Sequence, residues 1–74
     1  MSCLLQIRSI RNDMSANEKK LADYILNNSA LLRDYSSQQL ARVVGVSQSS
    51  VVKFCQKLGY KGYPDLKLAI NESV

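Results

Sequence analysis

The sequence predicts an all-α fold, a five-helix bundle in which two successive helices are joined by a short turn. Three observations predict it. Apolar residues recur at helical rather than alternating spacing. Ser15 and Ser36 each stand three residues before a Glu or Gln at the start of an apolar run, the pattern that opens helices. Pro occurs once and Gly three times in 74 residues, too few to punctuate a β fold. A chain of this length supports one modest core, so residues 1–74 read as a single domain.

The first helix is expected over Ser2 to Arg11, where Cys3, Ile7 and Ile10 share one face. Asn12 and Asp13 end it. The second starts at Ser15 with Glu18 as capping partner. It buries Leu21, Ala22, Ile25 and Leu26 and stops at Asn27-Asn28-Ser29. A short helix follows near Ala30 to Asp34. The next opens at Ser36, with Gln39 as partner, and runs to Val44. Gly45 stops it, in a turn that asks for a positive φ. Ser47 caps the following helix, which runs to Leu58 and ends at Gly59. Tyr60 to Tyr63 form a connector, where the two tyrosines serve packing rather than base stacking. Pro64 suits the first position of a last helix carrying Leu66, Ala69 and Ile70.

Ser37 to Gln56 is the informative stretch. Two helices joined by so short a turn cross closely and steeply. A small residue is needed at the crossing, and Ala41 supplies it; Gly45 follows four residues later in the turn. Leu40, Val44, Val46, Val51 and Phe54 fill the angle between the helices. The joint pattern reads as a helix-turn-helix, with a homeodomain-like three-helix core and flanking helices. Val51, Phe54, Cys55 and Leu58 face inward by their spacing. The complementary face carries Gln48, Ser49, Val52, Lys53 and Gln56. On a helix laid in the major groove such residues read base edges: Gln pairs with adenine, Ser with several bases, and Val packs on a thymine methyl. The plain alternative for each is solvent exposure. Phosphate contacts are expected from Ser36, Ser37, Gln38 and Ser47, which lie at helix N-termini, and from Lys57 and Lys61. Simple capping and solvation are the alternatives there.

Charge points the same way. The net charge is +4, and no acidic residue lies between Asp34 and Asp65. Arg42, Lys53, Lys57 and Lys61 carry the whole excess, since the rest of the chain balances six basic against six acidic residues. A one-sided basic segment suits a polyanion, DNA first. Catalysis is not expected: there is no histidine and no nucleophile–base or paired-carboxylate constellation. No cofactor or metal site is expected, since Cys3 and Cys55 lack ligand spacing. Cys55 reads as a packed thiol rather than a redox switch. No secretion signal or membrane-length apolar run is visible. The expected location is cytoplasmic, with both thiols reduced.

Four segments carry a family resemblance: Ser15 to Ile25, Ser36 to Ala41, Val46 to Phe54, and the closing Lys57-Leu58-Gly59-Tyr60-Lys61-Gly62-Tyr63-Pro64-Asp65-Leu66-Lys67. On these the chain resembles the N-terminal domain of RpiR-type (MurR-type) bacterial regulators of sugar metabolism. Tyrosines stand where phenylalanine is common in the closing motif. The resemblance implies a DNA-binding domain followed by a sugar-isomerase-type domain that takes a phosphosugar effector. That second domain is absent from this sequence, which stops just after the last expected helix, as an excised domain does. The expected partners are double-stranded DNA and a second copy of the chain in a homodimer. Leu4 and Leu5, beside the apolar stripe of the first helix, serve either that pairing or the core. The competing function is a helical protein-interaction module without direct DNA readout.

Overall fold

Serine caps set where the helices begin. Ser15 Oγ accepts the Glu18 N–H at 3.3 Å, and the Ser15 N–H donates to the Glu18 carboxylate at 2.9 Å. Ser36 and Gln39 repeat this reciprocal pair at 3.2 and 2.8 Å. Ser47 Oγ accepts the Ser50 N–H at 3.2 Å. Each satisfies donors that a helix start leaves unpaired. In the computed structural model, which describes residues 3–73, five α-helices result: α1 (Cys3–Ile10), α2 (Ala16–Asn27), α3 (Ser37–Val44), α4 (Gln48–Lys57) and α5 (Tyr63–Ser73). No strand occurs among the described residues.

The boundaries depart from expectation in small ways. The first helix ends at Ile10, and Arg11–Asp13 tighten into a 3₁₀ turn; Ser2 lies outside the described residues. Segment Ser29–Asp34 is also 3₁₀ rather than α. Its six residues carry no side-chain cap, and short uncapped turns favour the tighter winding. The α4 helix closes at Lys57, one residue early. Pro64 is the second residue of α5, not the first. Its missing N–H costs nothing there, because no first-turn N–H has an intrahelical acceptor.

The turn between α3 and α4 closes on one carbonyl. The N–H groups of Gly45 and Val46 both donate to Ala41 O, at 2.8 and 3.0 Å. Gly45 takes φ +86°, the left-handed region that favours glycine. Gly59 does the same after α4, at φ +95°. Ala41 is buried at the crossing, as a close approach of two helices requires.

Each helix gives one face to a shared core. Ile7, Leu21, Ile25, Leu40, Phe54, Leu66 and Ile70 are fully buried, and Val44 and Val46 are half-buried against them. Helix α4 packs on α2, α3 and α5, and α1 docks against α2 and α5. Long-range polar bonds pin the flanking elements. Gln6 Nε2 donates to Leu58 O at 2.9 Å, tying α1 to the end of α4. Arg11 makes a two-pronged pair with Asp23, at 2.6 and 2.9 Å. Leu4 is half-buried against the core, so of the two extra leucines in α1 only Leu5 stays exposed.

Both cysteines are buried. Burial, and then the neighbouring Cys3 thiol, pushes Cys55 up to about 12. Burial likewise pushes Tyr63 up to about 12. Both groups are neutral when protonated, so the folded chain holds these protons at pH values where the unfolded chain has released them. Their stabilising contribution is whole below pH 9, the ordinary thiol value, and is lost as pH rises towards about 12. Urea titrations should therefore show a falling midpoint above pH 9. Each group contributes a slope of up to about 1.4 kcal/mol per pH unit. A Cys55→Ala chain should show a shallower alkaline decline; an equal one would place the effect elsewhere.

Candidate nucleic-acid interface

The 3.6-residue period of α4 divides its side chains. Val51, Phe54 and Cys55, with Leu58 just beyond, face the core and are buried. Gln48, Ser49, Val52, Lys53 and Gln56 are exposed, as the spacing predicts. These five side chains line one shallow concavity of about 450 Å³. Val52 is the one apolar residue among the five, and Lys53 is the one cation.

Helix α3 holds one flank of this surface. Gln48 Nε2 donates to Ser37 Oγ at 3.0 Å, joining the first residue of α4 to the first residue of α3. Ser36 and Gln38 adjoin Ser37 and are exposed. The hydroxyls of Ser36 and Ser47 serve their caps, and Ser47 Oγ also lies 3.0 Å from Ser50 Oγ. Capping and anion contact are compatible, since a hydroxyl oxygen has two lone pairs and one proton.

The two lysines assigned to phosphate sit differently. Lys57 ends α4 on the side of α2. Its ammonium donates to Asp13 O at 3.0 Å and lies 3.6 Å from the Glu18 carboxylate. The Ser15 N–H bond holds Glu18 below the usual carboxylate range; burial opposes this and Lys57 adds to it. Lys61 lies in the loop before α5 and is exposed.

The structure also brings together residues that the sequence did not place in one site, Asn17 and Ser50 among them with no role assigned. Ser15, Asn17 and Glu18 of the α2 start, with Ser50, Lys53, Gln56 and Lys57 of α4, line a cleft of about 560 Å³. The capping box marks the start of α2 in the sequence, but nothing in the sequence places that start beside α4. No group of residues suited to a metal ion occurs among the described residues, and none of their helices is long and apolar enough to cross a membrane.

Comparison with known proteins agrees with this geometry. The model of the helix-turn-helix domain of the rpiR family matches residues 1–74. The uncharacterized HTH-type transcriptional regulator YfhH of Escherichia coli K12 is 57% identical over 74 residues, all of this chain and 26% of that protein. The crystal structure of the N-terminal domain of the regulator ybbH of Bacillus subtilis superposes with a TM-score of 0.88 at 30% identity, covering 93% of this chain and 84% of that one. The NanR protein of Vibrio vulnificus, solved in complex with ManNAc-6P, superposes with a TM-score of 0.94 at 33% identity. That match covers 97% of this chain and 27% of NanR. The chain thus spans about a quarter of the length of YfhH and of NanR. What the two solved structures share with this chain is its bundle of helices, superposed over nearly the whole of it. The chain belongs to the rpiR family of helix-turn-helix domains, the DNA-binding domains of HTH-type transcriptional regulators.

Proposed function

We propose that this chain reads an operator in duplex DNA for a phosphosugar-responsive transcriptional regulator, and that it has no catalytic role. One observation carries the reading: the five exposed side chains of α4 form a single surface, in a stretch with no acidic residue from Tyr35 to Pro64. Gln48, Ser49, Val52, Lys53 and Gln56 read base edges. Ser36, Ser37, Gln38, Ser47, Lys57 and Lys61 hold phosphates and fix the register. The phosphosugar belongs to a sugar-isomerase-type domain C-terminal to this one, as the family resemblance implies; NanR, complexed with ManNAc-6P, supports a phosphosugar as the kind of effector. The regulator works in the cytoplasm as a homodimer, because one module touches few base pairs and two-fold pairing doubles the contact.

Selection of bound duplexes from a random pool tests this. A two-fold symmetric motif is expected, with half-sites about 34–36 Å apart or a multiple of that. Gln48→Ala should change the preferred base at one position of each half-site. Lys61→Ala should weaken all sequences about equally. Enrichment of no motif, or a shifted motif with Lys61→Ala and none with Gln48→Ala, would overturn the placement of α4 in the groove.

A further inference from the structure

Resting on the DNA-binding reading above, we propose that the cleft between the start of α2 and the flank of α4 seats the sugar-phosphate backbone of one DNA strand. Asn17 and Ser50 are its polar contacts, and Lys53, on the border it shares with the base-facing concavity, is its cation as well as a base-edge contact. The major groove is about 12 Å wide and a helix with its side chains about 10–12 Å across. A helix lying in the groove therefore meets both walls, and each wall is a strand of phosphates.

The two flanks of α4 are distinct. At 3.6 residues per turn, Gln48 and Val52 fall on one flank, and the Gln48–Ser37 bond turns that flank to α3. Ser50 and Lys57 fall on the other, and the Lys57 pair with Glu18 turns it to α2. Ser49, Lys53 and Gln56 lie between. The strand on the α3 side already has candidate partners in Ser36, Ser37 and Gln38. The α2-side cleft supplies them for the opposite strand.

Its chemistry fits a phosphodiester. Every side chain that lines it is polar, with two lysines against one glutamate. Glu18 is engaged by the Ser15 N–H and by Lys57, so its charge is compensated within the wall. Lys57 in turn is held against Asp13 O and Glu18, whereas Lys53 forms no ion pair among the described residues. Lys53 and Gln56 line both this cleft and the base-facing concavity, so the two form one continuous surface. A docked peptide would need a pocket for an apolar anchor, and no apolar residue lines this cleft.

Asn17 allows a test that separates binding from folding. It is exposed, and it is the second residue of α2. An acid there favours the helix and a base opposes it. Asn17→Asp should therefore leave the melting temperature equal or higher while lowering affinity for a labelled mixed-sequence duplex by about five- to tenfold at about 50 mM salt. Asn17→Lys should do the reverse, melting equal or lower, binding tighter, and steepening the salt slope by about one. Affinity moving with stability in both variants, or unchanged affinity and slope while the unaltered chain binds, overturns the cleft and leaves the α4 reading standing. An unaltered chain that binds no duplex at that salt overturns both.

Discussion

Phe54→Ala should bring the chain close to unfolding. Phe54 is the largest of the fully buried side chains. It sits on α4, which packs against α2, α3 and α5 at once. Truncating a buried phenylalanine costs about 3–5 kcal/mol, through lost burial and the cavity left behind. A 74-residue domain has about 4–11 kcal/mol of stability in total. The loss is thus a large fraction of everything that holds the fold. In a thermal melt followed by circular dichroism, the midpoint should drop by ~12 °C or more, or the cooperative transition should vanish. Val52→Ala, two residues earlier on the exposed face, should stay within about 0.5 kcal/mol. Similar small shifts for both variants would mean that α4 does not close the core through Phe54.

Duplex affinity should depend steeply on salt. Arg42, Lys53, Lys57 and Lys61 are the cations of the stretch without acids. Each cation that neutralises a phosphate releases counterions and adds about 0.9 to the slope of log affinity against log salt. Arg42 lines neither the concavity nor the cleft and Lys57 shares its charge with Glu18, so the effective count lies between two and three. Raising salt from about 50 to 200 mM should then lower affinity roughly 12- to 40-fold. Fluorescence anisotropy with a labelled duplex measures this directly. A flat profile, or binding that strengthens with salt, would point instead to a protein-docking surface held together by apolar contact.

The parts of this fold that read directly from the sequence are those fixed by neighbours within a turn or two. Ser15 with Glu18, Ser36 with Gln39, and Ser47 with the N–H three residues on are local bonds, and all three caps form. Gly45 is local too, since only the chain direction at that residue demands its positive φ. The inward stripe of α4 follows from periodicity alone. Residues that close the core from outside a periodic run were not legible. Met14 lies between a 3₁₀ turn and a cap, and Leu32 lies in a 3₁₀ segment, yet both are buried. Met14 stands alone among polar residues, and Leu32 sits in a run of three apolar residues too short to show a period, so neither reveals its face. The same limit governs the interface. The exposed α4 face is a property of one helix and could be read off. The cleft beside α2 joins Asn17 to Lys53, residues from separate helices that only tertiary packing makes neighbours. Lys57 shows the effect on a single side chain. Its type and position mark it as a phosphate cation, but its first partners are Asp13 O and Glu18.

The bond from Gln48 to Ser37 has an evolutionary consequence. An amide free to rotate presents both its donor and its acceptor to any base that arrives. With one N–H held by Ser37 Oγ, the carbonyl of Gln48 is turned in a fixed sense, and its remaining N–H with it. What residue 48 recognises then depends on what occupies position 37, on a different helix. Substitutions at the two positions should be epistatic, as contacting residues in one hydrogen-bond network generally are. A lineage that changes its operator by altering residue 48 alone also inherits a Ser37 hydroxyl oriented for the old side chain. New specificities should arise in this scaffold as paired changes at 37 and 48, with the intermediate sequences binding poorly to old and new sites alike.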